Sequence, residues 1–104
     1  MTTTPPPPAA RPEVQVVCVD AVGADQLAVI VRCLATTRLG TRFRCTGRDG
    51  RAVDLVLTEI RRYREVTVDE VDPPHGARLL LSGARAGDVH VERGDLLRGT
   101  DPAI

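Results

Sequence analysis

The sequence predicts an all-β fold, a single small antiparallel β-barrel. Three observations carry this. In most segments apolar residues alternate with polar ones at a period of two, as on strands with one buried face. Turn residues recur every ~8–12 residues. No stretch of about 12 residues has the three-to-four spacing of an amphipathic helix. The 104 residues fit one domain, and a hydrophobic content of 42% is enough to build a core. Closing the sheet into a barrel also removes the exposed edges of an open one.

Each element follows in order. Residues 1–12, MTTTPPPPAARP, read as a Pro-rich tail in polyproline II or disordered form, with the barrel domain spanning 13–104. Glu13–Val22, EVQVVCVDAV, is a strand with Val14, Val16, Cys18 and then Ala21 or Val22 inward. Gly23-Ala24-Asp25 turns into Leu27–Ala35, a β-branched run short enough for a buried strand. After a turn at Thr36–Gly40, Thr41–Thr46 alternates Arg42 and Arg44 with Phe43 and Cys45. Gly47-Arg48-Asp49-Gly50 is a hairpin turn, and Ala52–Ile60 returns with Val53, Leu55 and Leu57 on one face. Glu65–Val71 forms short extended pieces, and Pro73-Pro74-His75-Gly76 turns into the apolar strand Arg78–Leu81, ending at Gly83. The final piece turns at Arg93-Gly94 before Leu96 and Leu97.

Composition excludes several chemistries. All 14 basic residues are Arg, and the chain has neither Lys nor Asn. A phosphate-binding loop of the G-x-x-x-x-G-K-[ST] type needs its Lys, and so does a Schiff-base enzyme. The three cysteines, Cys18, Cys33 and Cys45, match no metal or redox spacing and are odd in number. They read as buried free thiols in a reducing compartment. No apolar run approaches ~18 residues, and the N-terminus lacks the basic and apolar halves of a secretory signal. These features predict a cytoplasmic protein.

The net charge of zero hides a segregation. Residues 1–37 sum to −1, residues 38–64 carry eight Arg against three acids for +5, and residues 65–104 sum to −4. A basic middle and an acidic end either neutralise each other across neighbouring strands or form two faces, one of which meets an anion.

The C-terminal half carries a more specific signal. Leu57–Glu65 reads LTEIRRYRE, Arg78–Gly83 reads RLLLSG, and Val89–Leu97 reads VHVERGDLL. In order and rough spacing these resemble the second domain of the translation GTPases, typified by elongation factor Tu, whose elements run T-x-[VI]-E-M-F-R, V-x-[VL]-L-L-R-G and [IV]-x-R-G-x-[VL]-L. Thr58, Ile60, Tyr63 and Arg64 fit the first. Leu79-Leu80-Leu81 with Gly83 fit the second, and Val91, Arg93-Gly94 and Leu96-Leu97 the third. The resemblance covers residues ~51–100 and implies a small antiparallel barrel in which the triple Leu faces the centre and Gly83 and Gly94 allow turns. It also implies work in the translation apparatus, with RNA (tRNA or rRNA) or a GTPase supplied in trans as partner. The departures limit this. The family's GTPase domain and its N-K-x-D motif are absent. Arg61 stands where the family has the Glu that helps hold the 3′ end of aminoacyl-tRNA, and Arg62 replaces the Met.

No catalytic constellation stands out. His75 and His90 lack carboxylate or thiol neighbours at ligand spacing, and Ser82 lacks a G-x-S-x-G context. Asp69-Glu70-Val71-Asp72 reads as a solvated acidic loop. The sequence therefore predicts a non-enzymatic binding module with no cofactor and no metal. Its predicted contact residues are Arg42, Arg44, Arg61, Arg62, Tyr63 and Arg64, since guanidiniums suit phosphate and carboxylate recognition. They would cluster if the strands pair across the Gly47–Gly50 hairpin. A protein-interaction or self-associating module without nucleic-acid binding is the alternative, and aromatic poverty weighs against base stacking.

Overall fold

The structure is a computed structural model that describes residues 11–62 and 65–102. The described residues form nine strands: β1 (Glu13–Val22), β2 (Gln26–Ala35), β3 (Thr37–Arg38), β4 (Arg42–Thr46), β5 (Ala52–Arg62), β6 (Val66–Val68), β7 (Glu70–Val71), β8 (Gly76–Ser82) and β9 (Leu96–Thr100). A 3-10 turn spans Ala86–Asp88. Among the described residues no helix is long and apolar enough to cross a membrane.

Six strands close a barrel in the order β4-β9-β1-β2-β8-β5, with β5 pairing back to β4. All pairings are antiparallel. The length of β5 explains the closure. Its first half, Ala52–Val56, pairs with β4. Its second half pairs with β8 from Val56 to Arg61, and its end, Ile60–Arg62, carries β6. The predicted hairpin at Gly47–Gly50 joins β4 to β5 as expected. The core is the inner layer of side chains, with Val14, Val16, Leu27, Val29, Val31, Phe43, Leu55, Leu57, Ile60, Leu79 and Leu81 at most 2% exposed. This filling of the interior by side chains is typical of small barrels.

Bulges account for the places where strict alternation fails. On β1, Val16 pairs with Val31 and Cys18 with Ile30, so Val17 is an extra residue. The inward phase then moves from even to odd numbers, and Cys18 is exposed rather than inward. Ala21 and Val22 are exposed as well, on the stretch of β1 that still pairs with β2 but has no β9 beside it. On β5 the extra residue is Thr58, which lets Leu57 and Ile60 both face inward. The triple Leu does not face the centre as a block. Leu79 and Leu81 are buried, and Leu80 between them lies on the outer face, half-buried.

The two open ends of the barrel are filled differently. At one, β3 and β7 form a two-stranded sheet that places Thr37 and Val71 over the core, and the Cys33 thiol donates to the Ala35 and Val71 carbonyls at 3.0 and 3.2 Å. At the other, the 3-10 turn inserts Ala86, followed by Val89, and Gly87 N–H bonds the Ala24 carbonyl. Gly94 takes φ 92° in the Arg93-Gly94 turn, as that turn requires. Gly83 is needed for a different reason than a turn, since its Cα passes close over β5.

Candidate functional site: a basic groove over β4

The site is built from the outer faces of β5, β4 and β9. On β4, burial of Phe43 and Cys45 forces Arg42 and Arg44 to the outside. Val56 lies opposite Arg42 and Asp54 opposite Arg44 on β5, while Thr100 lies opposite Arg42 on β9. Arg11 completes the group. Pro12 is buried, its carbonyl accepts the Gly99 N–H at 2.8 Å, and Arg11 Nε donates to the Gly99 carbonyl at 3.4 Å. Thus the last two residues of the segment expected as a tail, Arg11 and Pro12, run along β9.

These residues line a groove of about 450 Å³, whose inner wall is Phe43 and Leu55. Three arginines and a single aspartate line it among the described residues. Arg44 Nε stands 3.2 Å from Asp54 Oδ1, with both side chains about three-quarters exposed, a pair of little energetic weight. Arg42 has no ion partner among the described residues. Such a groove carries net positive charge and donor groups suited to phosphate or carboxylate oxygens.

The six predicted contact residues do not form one cluster. β4 and β5 pair across the hairpin, but Arg61 lies five residues beyond Val56, roughly 17 Å along the strand at about 3.3 Å per residue. There it faces Arg78 of β8 and Thr67 of β6, and its guanidinium pairs with Glu59. Arg62 is exposed at the end of β5. Tyr63 and Arg64 lie outside the described residues. Arg42 and Arg44 therefore stand together with Arg11, and Arg61 and Arg62 form a separate basic end. Arg11 was hidden from sequence reasoning inside the Pro-rich run. Only its pairing with β9 reveals it.

Among the described residues the basic middle and the acidic end neutralise each other at two points only. Arg38 of β3 reaches Glu70 of β7 at 2.8 Å, and Arg85 reaches Asp49 at 2.7 Å. Arg44 and Arg61 pair with acids of their own segment, so the acidic end does not neutralise the groove. The histidines are held apart. His90 Nε2 is 3.2 Å from Glu92 Oε1, and His75 Nδ1 is 3.1 Å from the Asp72 carbonyl oxygen. Among the described residues no three His, Cys, Asp or Glu side chains converge as a metal site. Ser82 Oγ shares a hydrogen bond with Thr58 Oγ1 at 2.9 Å on the outer face.

No protein-family profile matches the sequence, and no curated protein does. Among solved structures the chain is similar to the Ski7 GTPase-like domain of S. cerevisiae, determined bound to GDP and inorganic phosphate. The TM-score is 0.61 at 12% identity, covering 86% of this chain and 23% of that one. The likeness is one of fold. The barrel, in keeping with the resemblance in its C-terminal half, is of the kind found within a GTPase-like protein, and it spans about a quarter of that protein's length.

Proposed function

We propose that this chain is a non-enzymatic binding module of the translation apparatus, resembling the second domain of the translation GTPases, and that it contacts RNA through the groove over β4. The observation that supports it is the convergence of Arg11, Arg42 and Arg44 on one groove with Asp54 as the only acid lining it. The likeness to a GTPase-like structure and the elements at Leu57–Leu97 support the translation setting of this reading. These residues bring no Lys or Asn for a nucleotide site of that type within the barrel itself.

Fluorescence anisotropy with labelled tRNA and rRNA fragments tests this reading. Three phosphate contacts give a binding constant that falls roughly 20- to 40-fold between 50 and 200 mM salt. Arg42→Ala lowers affinity and reduces the salt slope by about one, while Arg61→Ala and Arg62→Ala leave both unchanged. Binding that ignores salt, or no binding at 50 mM, overturns the RNA reading. The alternative is a protein-docking module without nucleic acid, and the exposure of Val17, Val19 and Val22 on β1 favours it.

A further inference from the structure

The two edges of β1 are treated differently. One is paired with β2 throughout. On the other, β9 covers only Glu13–Gln15, and the turn at Gly94-Asp95 covers Val16 through two backbone bonds of 2.8 Å. From Val17 to Val22 that second edge has no strand partner among the described residues. Val17, Val19 and Val22 are 43%, 39% and 60% exposed there. Such an edge is a template for strand addition, which proteins usually block with Lys, Pro or an inward charge. Here neither Lys nor Pro is in place, and the protection is limited to the two bulges at Val17 and Asp20. The single charge of the segment, Asp20, is held by Arg78 Nε of β8 at 2.7 Å.

We propose that Val17–Val22 pairs antiparallel with the same edge of a second copy, forming a two-fold dimer distinct from the basic groove. Three features point to a second copy as the occupant. The edge is self-complementary, since an isologous antiparallel pair satisfies both strands with one operator. The bulges at Val17 and Asp20 coil the strand, and a second copy brings a strand with the same coil.

The third feature is charge. The turn that begins the open edge carries Arg93, whose guanidinium has no ion partner among the described residues. In that turn Glu92 pairs with His90, and the Asp95 carboxylate accepts the Glu92 N–H at 2.8 Å. The turn that ends the edge carries Asp25, also without an ion partner among the described residues. Antiparallel pairing about a two-fold sets the start of one edge against the end of the other, so Arg93 meets Asp25 of the second copy twice. A pairing of six residues is smaller than the interfaces of about 1,200–2,000 Å² that specific, stable complexes bury, so the dimer is a weak one.

Sedimentation equilibrium of the full chain from about 10 to 500 μM, in reductant, reads the outcome. The expected result is a mass rising to twice that of the monomer. Arg93→Asp and Asp25→Arg each weaken association at least tenfold, and the double swap R93D/D25R restores it to within about threefold. Val17→Lys abolishes it. Hydrogen exchange on the unaltered chain provides a readout independent of variants, with the amides of Val17–Val22 slowing as concentration rises. Cys18→Ser leaves the dimer intact. A monomer at every concentration overturns the proposal. So does a dimer indifferent to the charge swaps, one that the double swap fails to restore, or one lost with Cys18.

Discussion

A Cβ on Gly83 would lie 2.6 Å from the backbone oxygen of Asp54. The segment leaving β8 thus crosses β5 at a distance only glycine allows, just where β5 passes from β4 to β8. Because the obstacle is backbone, relief requires moving a strand of the barrel. Gly83→Ala is expected to destabilise by about 1–3 kcal/mol, the usual range for overpacking. Thermal denaturation should show a melting temperature lowered by at least about 4 °C.

The three consecutive leucines of β8 differ by position alone. Leu79→Ala and Leu81→Ala remove fully buried side chains and should each cost about 2–5 kcal/mol. Leu80→Ala, on the outer face, should cost less than either. Urea midpoints at unchanged slope measure the difference, and equal losses at all three positions would contradict the observed register.

The thiols are predicted to react unequally. Cys18 is exposed, whereas burial raises the pKa of both Cys33 and Cys45. Cys45 is pushed up to about 11 by burial and the nearby Asp54 carboxylate. Alkylation of the native protein near pH 8 should give one adduct, at Cys18, with all three appearing only on unfolding. The same shift has a consequence for stability. Above 9.0, the ordinary value for the thiol, the unfolded chain loses the Cys45 proton while the folded chain keeps it to about 11. Stability should therefore fall as pH rises through that interval, and Cys45→Ala should lessen the fall.

Asp49 ties the β4–β5 hairpin to the segment of the 3-10 turn beside it, at the same end of the barrel. Its carboxylate accepts the Arg51 N–H at 3.0 Å and pairs with Arg85 Nη2 at 2.7 Å. The Arg51 bond first, and Arg85 second, hold the carboxyl below its ordinary 3.8. A lowered folded value means that this contribution is complete above 3.8 and is lost as pH falls through the folded value. Denaturation profiles of Asp49→Asn should flatten on that acid limb, with a small effect at neutral pH.

The all-β class, the main strand segments along the chain and the hairpin at Gly47–Gly50 are legible because burial on one face writes a period of two into the sequence. Phe43 and Cys45 inward, with Arg42 and Arg44 outward, follow from that period directly. Bulges were not legible. An extra residue at Val17 or Thr58 leaves composition unchanged and reverses every later side chain, which is why Cys18 was expected inside. The groove was half legible. Arg42 and Arg44 came from alternation, but Arg11 joins through pairing with β9, a contact between residues far apart in the chain. Arg61 and Arg62 were grouped with them because sequence gives nearness along β5 without its register.

The pairing of β1 with β9 has a consequence for how the molecule forms. Glu13 faces Arg98, and β9 also supplies the neighbour of β4. The wall is incomplete until the last strand is inserted between the first and the fourth. During synthesis the hairpins β1–β2 and β4–β5 can assemble as they emerge, yet ring closure must wait for residues 96–100. Long-range pairing of this kind slows folding. Folding is thus gated by a five-residue strand, and substitutions in β9 should slow barrel formation more than substitutions of equal cost in either hairpin.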